Sequence, residues 1–164
     1  MALREATQKI SPAQQALAVN RLPTILHVED DTNDVLLLEH ACRKVGVNCN
    51  IQRVADGDEA IAYLEGTDRF ADRKQFPLPQ VILLDLKMPR LSGFDVLTWR
   101  RANEKFRSVP VIVLSSSNHD VDLKRAYELG VNSYVMKPVS FDSLCEIIKT
   151  IHDYWIVLNT ANSA

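Results

Sequence analysis

Four short apolar stretches of this chain end in groups that can do chemistry. Residues 24–28 run into Glu29, Asp30 and Asp31, and Val81-Ile82-Leu83-Leu84 stops at Asp85. Residues 111–114 lead into Ser115, Ser116 and Ser117, and residues 133–136 stop at Lys137. Carboxylates gathered in one place repel one another unless a cation lies among them, and a small hard cation such as Mg2+ takes one or two carboxylates, a carbonyl and several waters. Asp30 and Asp85 are therefore the candidate direct ligands, the Lys87 carbonyl a third, and Glu29 a partner through water. Lys137 offers positive charge to an anion, and Ser115 offers a hydroxyl to another of its oxygens. Cation, Lys137 and Ser115 together would stabilise three oxygens of a phosphoryl group, with the Asp85 carboxylate as the nucleophile. The chemistry this set implies is an aspartyl phosphate.

The set works only if the chain brings these stretches to one edge. A run such as residues 81–84, apolar without alternation, reads as a strand covered on both faces, as in a parallel sheet between helices. An acid at its carboxyl end then emerges in the crevice where open α/β sheets place their ligands. Pro89 cannot continue a ladder and biases Met88 away from helix, so the backbone must turn directly after the acid. Ahead of it, Asp31 or Thr32 can cap a helix carrying Val35, Leu36, Leu38, Ala41, Cys42 and Val45 at spacings of three and four, which Gly46 can close. Residues 51–54 read as a short second strand, and Gly57-Asp58 opens a small helix with Ala60, Ile61 and Leu64 on one side. Between residues 65 and 80 the pattern breaks for longer than an α/β connection needs, which marks the loop as a place for a specific feature. Ser92-Gly93 precedes a helix with Phe94, Val96, Leu97 and Trp99, with Trp99 expected to be covered by the core. Further helices are expected over about residues 120–129 and from a Ser140 cap through Leu144, Ile147, Ile148 and Ile151 toward Trp155. Five strands alternating with five helices imply a doubly wound five-stranded parallel sheet of the flavodoxin-like (βα)5 type, because parallel strands need long right-handed crossovers.

At 164 residues the chain is long enough for one domain with a full core. Hydrophobic content of 46% and charged content of 24% are those of a soluble globular protein, and a net charge of −2 gives no electrostatic footprint for nucleic acid. No apolar run approaches the roughly 20 residues that span a bilayer, and no secretion signal opens the sequence, so a cytoplasmic protein is expected. Cys42, Cys49 and Cys145 are odd in number and lie in no metal-type spacing, so reduced, packed thiols are expected. His27, His40, His119 and His152 have no mutual spacing suggestive of ligands or a triad.

Taken together, Glu29-Asp30, Asp85 in Asp-x-x-Met-Pro, Ser115, Tyr134 and Lys137-Pro138 resemble the receiver domain of bacterial response regulators. The resemblance covers about residues 23–152, leaving residues 1–22 as an N-terminal extension and 153–164 as an apolar tail. It implies a phosphorelay switch in which a histidine kinase presents phosphohistidine and Asp85 accepts the phosphoryl group with Mg2+ in place. It further implies that Ser115 then moves toward that group and Tyr134 rotates inward, so that the face made by the fourth helix and fifth strand changes. Such a protein is a phosphoacceptor with self-catalysed gain and loss of phosphate, hardly an enzyme in the usual sense. Ser116, where the family prefers a smaller residue, and the long 65–80 loop depart from the pattern without removing a catalytic group. The loop, the Ile-Leu-His-Val-Glu-Asp-Asp opening and the Tyr154-Trp155 ending look like the single-domain regulators that work with bacterial phytochromes, which makes a phytochrome-type kinase the expected partner. With no output domain expected after the last helix, output falls to another protein. Tyr154, Trp155, Ile156, Val157 and Leu158 suggest a homodimer contact, with a simple cap on the core as the other reading. Lys87 and Ser117, two residues beyond Asp85 and Ser115, would flank the path of an attacking water, and the long Lys87 side chain is expected to alter the lifetime of the phosphorylated state.

Three other function classes compete. A Mg2+-dependent phosphohydrolase with an aspartyl nucleophile would need a second aspartate two positions later, where Lys87 stands. A receiver-like scaffold that takes no phosphate has the intact acid pair, Asp85 and Lys137 against it. A flavodoxin-type cofactor site would need a Ser/Thr-rich phosphate loop where this chain has three acids.

Overall fold

The computed structural model describes residues 22–160, so the expected extension falls outside it up to residue 21. Five strands, β1 (Thr24–Val28), β2 (Asn50–Val54), β3 (Val81–Leu84), β4 (Val111–Ser115) and β5 (Ser133–Met136), form one sheet in the order β2-β1-β3-β4-β5. Every pairing is parallel. The connections carry α1 (Thr32–Val45), α2 (Gly57–Glu65), α3 (Gly93–Ala102), α4 (Asp120–Glu128) and α5 (Phe141–Ile151).

Alternation along the strands divides the interior in two, because successive side chains point to opposite faces. Leu26, Val28, Ile82, Leu84 and Val113 pack with Ala60, Leu64, Leu97 and Ala126, on the side of α2, α3 and α4. Ile25, Val81, Leu83, Ile112 and Leu114 pack with Leu38, Ala41, Leu144 and Ile148, on the side of α1 and α5. The central strands β1, β3 and β4 are therefore buried at every residue, and the edge strands β2 and β5 only in part.

Helix ends follow from side-chain caps. Asp31 accepts from Asn33 N at 2.7 Å and so takes the role shared in sequence with Thr32, while Gly46 closes α1 in the left-handed region at φ 69°. Ser140 accepts from Ser143 N at 3.1 Å. Ser92 and Asp95 form a reciprocal capping box at the start of α3. At α2 the cap is Asp56, one residue ahead of the Gly57-Asp58 pair.

Several features were not legible from periodicity. A one-turn helix, Glu104–Arg107, follows α3; it buries Phe106, which stacks on the half-buried Trp99 at 5.2 Å. Beneath it the buried Arg100 donates to the carbonyls of Arg107, Val109 and Gly130. The 65–80 loop is part of the packed structure: Tyr63, Phe70 and Phe76 form an aromatic cluster, with Phe70 5.2 Å from each of the others. Arg73 donates to the carbonyls of Tyr63 and Leu64 at the end of α2 and to Phe76, while Tyr63 OH donates to Pro77 O at 2.7 Å. At the other end α5 continues past residue 152 without a break, as π-helical turns over His152–Leu158. Trp155 and Ile156 rest against the second core, whereas Tyr154, Val157 and Leu158 are exposed.

The turn after β3 is the tightest part of the scaffold and the part that matters for Asp85. Gly93 donates to Leu86 O at 3.1 Å, and a Cβ there would lie 2.3 Å from the Asp85 carbonyl, a separation no side chain tolerates. Gly57 N donates to Leu91 O at 3.1 Å, and Arg90, held at φ 63°, pairs with the buried Asp56. The loop that leaves Asp85 is thereby tied to the start of α2.

Candidate functional site

Adjacent strands deliver the acids. β1 pairs with β3 in the register Val28↔Leu84, and Asp85 N donates to Val28 O at 3.0 Å, so the residues that follow the two strands emerge side by side. Glu29, Asp30 and Asp85 each bring a carboxylate oxygen to within 4.8 Å of the others. Glu29 and Asp85 are buried and Asp30 is exposed. From the other side of β3, β4 and β5 bring Ser115 and Lys137, joined by Lys137 N donating to Ser115 O at 2.8 Å. The Lys137 Nζ lies 2.7 Å from Glu29 Oε2 and 3.7 Å from Asp85 Oδ2. Ser115 is fully buried, its Oγ accepting from Ser117 N at 3.2 Å. The half-buried Tyr134 donates its hydroxyl to Ser117 O at 2.8 Å, and Ser117 Oγ in turn bonds Asp122 at the start of α4. The Lys87 side chain, like that of Asp30, is exposed.

One member of the site had no signal in the sequence. Asp34, in the first turn of α1, accepts from Lys137 Nζ at 2.7 Å. An acid in that position reads as a favourable charge at a helix N-terminus, and only the packing of α1 beside the β5–α5 junction makes it a partner of Lys137.

The electrostatics are those of a cluster short of positive charge. Burial pushes the Asp85 carboxyl above its ordinary range, against the attraction of Lys137 and the backbone N–H groups of Leu86 and Lys87, with Asp30 pushing it further up. Glu29 is raised for the same first reason, in spite of its hydrogen bond from Lys137. Burial by itself would lower Lys137, but hydrogen bonds to Asp34 and Glu29 and the charge of Asp85 hold it above the usual lysine range. His27, buried beneath the site, is lowered to about 4 by burial and then by Lys137 and Arg53, and it stands neutral. Three clustered carboxylates with hard oxygen donors, two of them reluctant to ionise, form a donor set that suits a divalent cation of the Mg2+ or Mn2+ type.

Comparison with known proteins agrees with this geometry. The family model described as response regulator receiver domain matches residues 25–149. The chain belongs to that family. Among its relatives, the receiver is 38% identical over 138 residues to a protein named "Probable methanogenesis regulatory protein FilR2" of Methanothrix harundinacea, covering 82% of this chain and 84% of that one. It is 30% identical over 140 residues to response regulator Rcp1 of Synechocystis, covering 85% and 93%. Among solved structures it superposes on response regulator RPA3017 in red light signaling of R. palustris with a TM-score of 0.82 at 34% identity, covering 87% of this chain and 100% of that one. The phosphorylated cyanobacterial phytochrome response regulator RcpA gives 0.79 at 33% identity, covering 88% and 100%. Rcp1 has also been solved in a Mn2+-bound form, at a TM-score of 0.76 and 29% identity, covering 86% and 99%. The chain is thus a two-component response regulator receiver homologous to phytochrome-associated regulators, and receivers of this kind hold Mg2+ or Mn2+ at an acidic cluster. Among the described residues no helix is long and apolar enough to cross a membrane.

An acid whose folded pKa is raised binds its proton more readily folded than unfolded, so its stability contribution falls as pH rises from the ordinary carboxylate range through the raised value. Above the ordinary carboxylate range Asp85 therefore costs stability. Asp85→Asn should raise the metal-free Tm by about 2–4 °C, the shift that about 1 kcal/mol produces in a domain of this size. Mg2+ at a hundredfold excess over its Kd should stabilise the parent by about 2.7 kcal/mol and the variant much less. Melts by circular dichroism with and without Mg2+ measure both, and an equal response of the two proteins to Mg2+ would remove Asp85 from the metal site.

Proposed function

We propose that Asp85 accepts a phosphoryl group from the phosphohistidine of a histidine kinase, of the phytochrome-associated type, and that the protein signals through the resulting change of its surface. The observation that carries this reading is the ammonium of Lys137 standing 3.7 Å from the Asp85 carboxylate, inside the cluster of Glu29 and Asp30. In the transfer, an Asp85 carboxylate oxygen attacks phosphorus; the new P–O bond forms as the P–N bond to the imidazole breaks, and the leaving nitrogen keeps the electron pair. Lys137 and Ser115 each hold a phosphoryl oxygen, so that the chain contributes mainly positioning and charge. Asp30, Asp85, the Lys87 carbonyl and, through water, Glu29 would hold Mg2+, which when bound offsets negative charge on the carboxylates and the phosphoryl oxygens. Hydrolysis reverses the modification: water attacks the same phosphorus, the Asp85 carboxylate leaves, and inorganic phosphate departs.

Ser115 and Tyr134 transmit the event. Ser115 Oγ accepts from Ser117 N, and Tyr134 OH holds Ser117 O, so a shift of Ser115 toward the phosphoryl group moves the loop on which Tyr134 is fastened. That loop runs into α4, where Val121, Leu123 and Tyr127 are exposed, as are Met136 at the end of β5 and Val139 after it. A local change of charge becomes a change in an apolar surface that a downstream protein can read. The exposed Tyr154, Val157 and Leu158 at the end of the last helix supply a contact for a second copy of the chain.

Incubation with Mg2+ and acetyl phosphate should add one phosphate, located on Asp85 by mass spectrometry and missing from Asp85→Asn; phosphate on another residue would overturn the assignment. Transfer should be faster from phosphorylated phytochrome-type kinases than from a panel of unrelated sensor kinases, and equal rates would remove the proposed partner. Lys87→Ala should change the half-life of the phosphorylated protein several-fold, and an unchanged half-life would end the idea that its side chain governs water access. A chain truncated after Asp153 should sediment as a monomer where the full chain sediments as a dimer; matching sedimentation would dispose of the apolar end as the contact.

A further inference from the structure

We propose that Asp34 is a positioning residue that shares the Lys137 ammonium in the resting protein and competes for it with a phosphoryl group on Asp85. The inference rests on the reading of Asp85 as phosphoacceptor and adds a residue that sets how available its lysine is.

The geometry of Lys137 is the starting point. An ammonium has three N–H donors. Two are engaged at 2.7 Å, with Glu29 Oε2 and with Asp34 Oδ2, while Asp85 Oδ2 stands at 3.7 Å, beyond hydrogen-bond reach. A phosphoryl group on Asp85 places new anionic oxygens in front of Lys137, and approach to them draws Nζ away from its resting partners. Those partners are unequal. The Glu29 side chain is 1% exposed, so leaving it without a counter-charge would strand a buried carboxylate. The Asp34 side chain is 37% exposed, and water can take the place of the lysine there at small cost. The contact with Asp34 is therefore the one given up.

The surroundings allow the movement. A cavity of about 50 Å³ lies between β1, α1 and the start of α5, lined among others by His27, Asp34, Leu37, Leu38 and Lys137. That volume exceeds what one water needs, so a water can enter beside Asp34 as the ammonium leaves without repacking of the core. Part of the wall is polar: His27 lines it, and its buried Nδ1 has no hydrogen-bond partner among the described residues. Asp34 thus acts as a resting place for Lys137, and its charge weakens the hold of the lysine on phosphate.

The test is the initial rate of phosphate incorporation from acetyl phosphate with saturating Mg2+, read from intact mass. Asp34→Asn should raise that rate about threefold to fivefold, the range a partly exposed ion pair carries. Asp34→Glu, which restores the carboxylate, should return it to near the parent rate. Asp31→Asn removes the same unit charge from the same segment while keeping a good helix cap, and it should leave the rate near that of the parent. Asp34→Ser, also compatible with a helix start, repeats the experiment if the asparagine variant folds poorly. A rate unchanged or lowered in Asp34→Asn, or an equal acceleration in Asp31→Asn, would overturn the inference. Phosphate on Asp85 at a rate indifferent to Asp34 would overturn it alone, whereas a parent protein that takes no phosphate at Asp85 would overturn the acceptor reading together with it.

Discussion

Mutual repulsion of carboxylates, held in check by one ammonium, is the constraint on which the rest of this structure depends. Glu29 and Asp85 are buried against each other's charge, and Lys137 is the cation that makes their burial tolerable. One positive charge among Glu29, Asp30, Asp34 and Asp85 leaves the site with an unmet demand for positive charge. On the proposed reading that residual demand is what would draw a divalent ion, and with an ion in place the buried Asp85 could face phosphorus. A site fully satisfied by its own side chains would have no reason to bind either.

The scaffold exists to keep that tension in place. Parallel pairing of β1, β3 and β4 puts all their carboxyl ends on one edge, and two separate cores, one on each face, keep those strands fully buried. The turn after Asp85 has little freedom, pinned by Gly93 against the Asp85 carbonyl, by Leu91 on Gly57, and by Arg90 on Asp56. On the other side of β3 the structure is looser by design of its bonds. Ser115, Ser117 and Tyr134 are linked through single hydrogen bonds across the β4–α4 loop, and α4 contributes only one buried residue, Ala126, to the core. A closely pinned turn after Asp85 and few ties around Ser115 are the division that the proposed switch requires, since the change must be felt in one place and expressed in another.

Kinship with phytochrome-associated regulators and the physical reading of the site converge from independent directions. The family match spans β1 to nearly the end of α5, so the whole constellation of acids, hydroxyl and lysine lies within it. The features outside the common receiver pattern are also structural commitments: the 65–80 loop carries its own aromatic cluster and the Arg73 cap on α2, and the last helix runs on to Leu158 with a partly covered Trp155.

The sequence by itself determined the sheet, its crossovers and the strand ends that carry Glu29, Asp30, Asp85, Ser115 and Lys137. Unbroken apolar runs, helical periodicity and caps are local properties, and the burial of parallel strands writes itself into consecutive residues. From the same residue types comes the expectation that such a set calls for a cation and an anion. The tertiary structure alone decided which charges meet. Asp34 reads as an ordinary first-turn acid, and its contact with Lys137, more than a hundred residues away, comes from α1 and α5 packing on the same face of the sheet. The same holds for Asp56 with Arg90, for Arg100 with carbonyls of two separate connections, and for the neutral state of His27. Long side chains can choose among partners only after the backbone has brought those partners within reach. An interaction that depends on distance across the fold therefore leaves no periodic mark in the chain.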